Sequence, residues 1–198
     1  MNGFERRTQQ KKEQVLQAAF ELMNTDAGIE NLTIDEVAKK ANVGKTSIFK
    51  YFGSKENLIH EVFTHSMEEM GTKAKQIMAE NAPFEETLIA MSQNKIDYLE
   101  KINKQFYLDL MNYFTEKGDS GFTRMMEEYT KQSFGIMLDL FHRGRKEGKV
   151  DLKYSDEFLM LYFQAILEGI SNPQIYEKIM PYTAEWTEML VKGIAPRK

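Results

Sequence analysis

A chain of 198 residues, 42% hydrophobic with a formal net charge of −4, is long enough to bury a core, as one domain or as a small domain joined to a larger one. The absence of cysteine excludes disulfides, thiolate metal ligands and a catalytic cysteine. MNGFERRTQQKKEQ lacks the apolar run of a signal peptide, and no stretch reaches the roughly 18–20 uninterrupted apolar residues of a membrane helix, so a cytoplasmic protein with no membrane partner is expected.

Only four prolines, long stretches of helical periodicity and no convincing alternating strand pattern predict an all-α fold. The first helix is expected over residues 8–24, with Val15, Ala18, Ala19, Leu22 and Met23 on one face. Gly28 in DAGIENL is a natural terminator. In TIDEVAKKA, Thr33 and Glu36 have capping-box spacing, and Ile34, Val37, Ala38 and Ala41 form a short apolar stripe. NVG then reads as a tight turn.

A second short helix over 45–52 turns Ile48 and Phe52 inward and leaves Lys45, Thr46, Ser47, Phe49 and Lys50 mostly outside. Ser54 caps a longer helix with an apolar face of Leu58, Ile59, Val62, Phe63, Met67 and Met70. Two short helices around a Gly-containing turn, packed on a longer one, make a helix-turn-helix. Such turns also occur in helical bundles that bind no DNA. The lysines tip the balance: residues 37–55 carry lysines at 39, 40, 45, 50 and 55 and no acid. Each lysine that neutralises a phosphate releases a condensed counterion, and an acidic protein can bind DNA if one face is not acidic.

LTIDEVAKKANVGKTSIFKYFGSKENLIHEVF resembles the DNA-binding domain of the tetracycline-repressor (TetR/AcrR) family of bacterial regulators, closely over residues 10–63 and loosely beyond. The resemblance implies a three-helix DNA-binding domain over 1–53 and a helical effector-binding and dimerisation domain over 54–198, with the helix from 54 as connector. It makes 45–52 the recognition helix, beginning at Lys45. Thr33, Tyr51 and Lys55 would contact phosphates, and Thr46, Ser47 and Lys50 would face the major groove. Phe49 stands where family members often carry Tyr, and Thr46 where a small Gly or Pro is frequent. Phe49 then meets a thymine methyl or simply packs. Arg6, Arg7, Lys11 and Lys12 form an arm that reaches a flanking groove or is a solvated tail.

Beyond residue 71 only helical periodicity is legible: APFEETLIAMSQNKIDYLEKI, KQFYLDLMNYFTE, a long helix over 122–146, a segment over 155–171 that is apolar nearly all round, and a last helix over 184–194. An all-round apolar helix must be covered on both sides. Phe158, Tyr162, Ile166, Trp186, Met189 and Leu190 are therefore candidates for a homodimer interface, and a C2 dimer suits a palindromic operator. Burial within a monomer is the alternative. Met67, Met70, Phe106, Tyr107, Met111, Tyr129, Phe134, Met137 and Phe163 could line an adaptable pocket for a small hydrophobic or amphipathic effector.

Enzyme chemistry finds no support. His60 and His65 are five residues apart, about 140° round a helix, and cannot share a metal as an i, i+4 pair would. No Walker loop, dinucleotide fingerprint or nucleophile elbow is present. The expectation is a transcriptional regulator, most simply a repressor released by its effector, with no cofactor and no metal. A helical small-molecule carrier that binds no DNA is the competing reading.

Overall fold

The computed structural model describes residues 3–116, 120–171, 175 and 178–197, excluding the side chains at 114–116, 120–130, 167, 168, 170, 171 and 180. Among the described residues the regular structure is helical, as the periodicity predicts: α1 (Gly3–Met23), a 3-10 turn (Gly28–Asn31), α2 (Ile34–Ala41), α3 (Lys45–Phe52), α4 (Lys55–Ala79), α5 (Phe84–Lys101), α6 (Lys104–Glu116), α7 (Ser120–Lys146), α8 (Asp156–Ser171), a second 3-10 turn (Met180–Tyr182) and α9 (Thr183–Ile194). Helix α1 starts five residues earlier than its apolar spacing predicts. Its polar first turns are supported instead by local pairs, Arg7 donating to the Gly3 carbonyl at 3.1 Å and the Gln9 amide to Glu13 at 3.1 Å. The basic arm is thus helix rather than tail.

The chain divides into two units, Met1–Glu69 with Leu99–Tyr113, and Met70–Tyr98 with Phe114–Lys198. The first unit therefore takes in the start of α4 and most of α6 as well as α1–α3. Its core holds Val15, Ala19, Met23, Leu32, Val37, Ile48, Leu58, Phe63 and Phe106, all essentially without solvent contact. Phe106 of α6 lies edge-on to Phe20 and to Phe63, with ring centroids 5.1 and 5.3 Å apart.

A polar latch accompanies this packing. Gly28, at φ +56°, brings the backbone so close to α6 that a Cβ there would lie 2.0 Å from Asp109 Oδ2. The Ile29 N–H donates to the same oxygen at 2.8 Å, and the Gln105 amide donates to Oδ1 at 2.8 Å. Asn103 adds a bond from its amide to Asp26 at 2.8 Å, and Asn24 donates to the Lys101 carbonyl at 3.1 Å.

The second unit is built around Phe84, Leu88, Met137, Leu140, Phe141, Val150, Leu159, Leu190 and Ile194, drawn from α5, α7, α8, α9 and the α7–α8 loop. Gly144 lets α7 approach closely: a Cβ there would meet Val150 Cγ2 at 2.6 Å and the Phe84 ring at 2.7 Å. Gly148, at φ +70°, ends α7. The Lys149 N–H returns to the Gly144 carbonyl and the Gly148 N–H to Arg145, the paired bonds of a Schellman motif. One turn before that end, Arg143 binds four acceptors: the carbonyls of Met78 and Ala82, Asn81 Oδ1 and Thr87 Oγ1. The last turn of α7 thereby caps the end of α4 and the start of α5.

Candidate nucleic-acid interface

The short α2 and α3 hold their places through local chemistry. Thr33 caps α2, its hydroxyl oxygen accepting from the Glu36 N–H at 3.2 Å. The capping box differs from the usual form. The Glu36 carboxylate accepts from the Thr33 hydroxyl at 2.8 Å instead of from its backbone N–H. Asn42 takes the left-handed conformation at φ 51°, and the Val43 N–H reaches back to Ala38 while its side chain is buried. Gly44 then starts α3 from an extended backbone. Ser54 caps α4, accepting from the Asn57 N–H at 3.1 Å.

These turns fix which face of α3 is free. Ile48 and Phe52 are buried, and Thr46, Phe49 and Lys50 are exposed, Phe49 by 48%. Ser47 and Tyr51 are half-buried, Tyr51 lying edge-on to Phe52. Lys55 opens α4 partly exposed. Thr33 is exposed, but its hydroxyl is engaged on both sides with Glu36.

The strip that is acid-free along the sequence is not acid-free in space. Lys45 pairs with Asp35 of α2, and Lys40 pairs with Glu21 of α1 at 2.8 Å. The Lys40 hydrogen bond, helped by Gln17, holds the Glu21 carboxyl below its ordinary range. Both pairs are exposed, so each is worth at most about 1 kcal/mol and screened by salt. Lys39, Lys50 and Lys55 have no ion-pair partner among the described residues. Sequence spacing does not reveal Asp35 and Glu21 as neighbours of the strip, because helix packing brings them there.

The candidate pocket residues divide between the two units. Met67, Phe106 and Tyr107 are buried in the first unit and Met111 is half-buried there. Met137 is buried in the second unit's core, Phe163 packs against that core, and Met70 and Phe134 are half-buried. The Tyr129 side chain lies outside the described residues.

The candidate interface residues also separate. Phe158 is 50% exposed and Met189 70%, with Tyr162 and Leu161 exposed beside Phe158 on α8. Tyr154, Phe158 and Tyr162 form a stacked ladder with centroids 5.5 and 6.3 Å apart. Leu190, by contrast, is spent in its own chain's core. Ile166 packs against that core, and Trp186 is half-buried. The exposed side of α8 is what an all-round apolar helix leaves when only one side is covered by its own chain.

Residues 15–62 match the family described as bacterial regulatory proteins, tetR family. The uncharacterized HTH-type transcriptional regulator YhgD of Bacillus subtilis (strain 168) is 41% identical over 78 residues, 39% of this chain and 40% of that protein. The matched segment thus spans less than half of that relative's length. Among solved structures, FadR of Bacillus subtilis in complex with stearoyl-CoA aligns with 92% of this chain and 98% of its own, with TM-score 0.69 and 18% identity. Reduced NemR of E. coli aligns with 95% of this chain and 99% of its own, with TM-score 0.71 and 16% identity. At those identities the likeness is one of fold.

Proposed function

We propose, for a chain that belongs through residues 15–62 to the tetR family of bacterial regulatory proteins, that it represses transcription as an effector-released dimer on a palindromic operator. The observation that carries this reading is the exposed face of α3, where Thr46, Phe49 and Lys50 face solvent, with Lys39 and Lys55 on the adjoining helices lacking an ion-pair partner among the described residues. Lys50 donates to guanine O6/N7, and Phe49 and the Thr46 methyl offer apolar contact to thymine methyl groups. Lys39 and Lys55 take phosphates, fixing register without reading sequence. Lys45 joins them once phosphate displaces its exposed partner Asp35.

Dimerisation uses the exposed Phe158, Leu161 and Tyr162 of α8, and Met189 of α9. Two recognition helices related by a two-fold axis reach half-sites about 34–36 Å apart. A small amphipathic effector enters the Met- and Phe-rich second unit. The likeness in fold to a regulator solved with stearoyl-CoA supports that choice. Release requires the effector to prefer the non-binding dimer, since a ligand with equal affinity for both states shifts nothing.

Fluorescence anisotropy with duplex DNA from upstream of the protein's own gene, across a salt series, tests this. Tight binding that weakens steeply with salt is expected. Lys50→Ala should lose base preference, and Lys55→Ala should weaken all sequences alike and lower the salt slope by about 1. Absence of salt-dependent binding to any duplex at low ionic strength would overturn the reading in favour of a carrier.

A further inference from the structure

Helix α5 presents one stripe to the protein interior. Phe84 and Leu88 are buried, Met91 packs against the same core, and Leu99 is buried further along. These positions recur every three to four residues, and Lys95 falls on the stripe between Met91 and Leu99. A lysine there is unusual, because a partly buried ammonium loses hydration and normally recovers it from a carboxylate or a carbonyl. Lys95 has neither: no hydrogen bond or ion pair joins it to any described group. Burial accordingly pushes its pKa below the ordinary lysine value. Nearby polar groups satisfy one another. Ser92 donates to the Leu88 carbonyl and accepts from the Thr187 hydroxyl at 3.1 Å.

We infer that Lys95 is an anchor for the anionic head of the effector, which is an amphipathic carboxylate whose apolar part lies among the Met and Phe side chains of the second unit. The inference rests on the effector-responsive reading above and names the ligand's chemistry. A single head charge follows from the cations available. Arg143 is committed to four acceptors and Arg145 to Asp156 and the Tyr154 carbonyl, so Lys95 is the cation left uncommitted on the inward stripe of α5. One ammonium matches a monoanion and leaves a phosphate dianion under-neutralised. Binding restores to Lys95 the partner that folding denies it, so affinity is coupled to its protonation. The carboxylate should bind less tightly as pH rises through the depressed pKa of this lysine.

The test uses the full chain with dansylundecanoic acid and its uncharged methyl ester, read by dansyl emission and by quenching of Trp186, the chain's single tryptophan. Wild-type protein should bind the acid at least about tenfold more tightly than the ester, the gain expected of a charge-assisted hydrogen bond. Lys95→Met should bind both probes with the ester's affinity, and Lys95→Arg should keep the preference. Lys95→Met should also melt no lower than wild type, because an unpaired desolvated charge is replaced by an apolar chain of similar length.

Equal binding of acid and ester by wild type overturns the inference, as does binding of neither. A preference that survives in Lys95→Met overturns it too, leaving Lys95 as a side chain that snorkels to solvent. The wild-type comparison decides even if a variant fails to fold. Operator anisotropy on the same preparations keeps the two readings apart. An intact acid preference without salt-dependent DNA binding removes the regulator and leaves the anchor, and the reverse result removes only the anchor.

Discussion

Gly28→Ala is the most demanding test of the latch between the α1–α2 connection and α6. An L side chain at φ +56° costs about 1–2 kcal/mol in backbone strain. The new Cβ would also stand 2.0 Å from Asp109 Oδ2, so the buried carboxylate must leave. Its departure breaks the 2.8 Å bond from the Ile29 N–H, a hydrogen bond to a charged acceptor worth about 1.5–3 kcal/mol. The total is about 2.5–5 kcal/mol, a large share of the roughly 5–15 kcal/mol that typically holds a domain folded.

Urea unfolding of Gly28→Ala, Asp109→Ala and the double variant reads both parts. Where Asp109 is already absent, the methyl group displaces only the flexible Gln105 side chain, whose Cγ it would meet at 2.8 Å, and Gly28→Ala should cost little beyond the strain. The coupling between the two sites should then be about 1.5–3 kcal/mol. Additive costs, or a loss below about 1 kcal/mol for Gly28→Ala alone, would refute the latch.

Arg143→Met strips the guanidinium from the Met78 and Ala82 carbonyls and should cost roughly 1.5–3 kcal/mol by the same unfolding assay. Arg143→Lys should recover only part of that, because one ammonium cannot match the planar fork; full recovery would show that charge alone suffices. The Asp156 carboxyl is held below its ordinary range by His142 at 2.8 Å and then by Arg145. A depressed carboxylate stabilises the fold above its unfolded pKa, and that stabilisation is lost as pH falls through the folded value. Melting midpoints of wild type and Asp156→Asn should therefore differ at neutral pH and converge below the usual carboxylate range; a constant gap down to strong acid would deny the pairing a role.

The helix-turn-helix is legible because its signals lie within a few residues of each other. Thr33 and Glu36 announce α2, Asn42 and Gly44 the turn, and Ser54 the start of α4. The bounds of α3 and α6 are likewise those the periodicity predicts. What escapes a linear reading is whatever depends on distant partners. Asp35 and Glu21 reach Lys45 and Lys40 only once three helices have packed. Asp109 meets Ile29 across 80 residues, so nothing local marks it as part of the first unit. Leu190 and Met189 sit side by side in α9, yet the first is core and the second surface. Periodicity finds an apolar face but not which neighbour covers it. Lys95 is missed for the opposite reason, since one charge barely disturbs a helix that otherwise reads as amphipathic.

The long-range closure of the first unit bears on how the protein is made. Ribosomes deliver roughly 5–20 residues each second, so the segment between Glu69 and Leu99 occupies a few seconds of synthesis. Throughout that interval α3 is already translated, but Phe106 and Asp109 do not yet exist. Phe20 and Phe63 lack the ring that packs against both, and the Ile29 N–H has no acceptor. The nascent unit therefore waits, incompletely sealed, for a helix encoded after a detour through the other unit. A fragment ending before residue 99 would retain every residue of the helix-turn-helix and still lack part of the core that holds it.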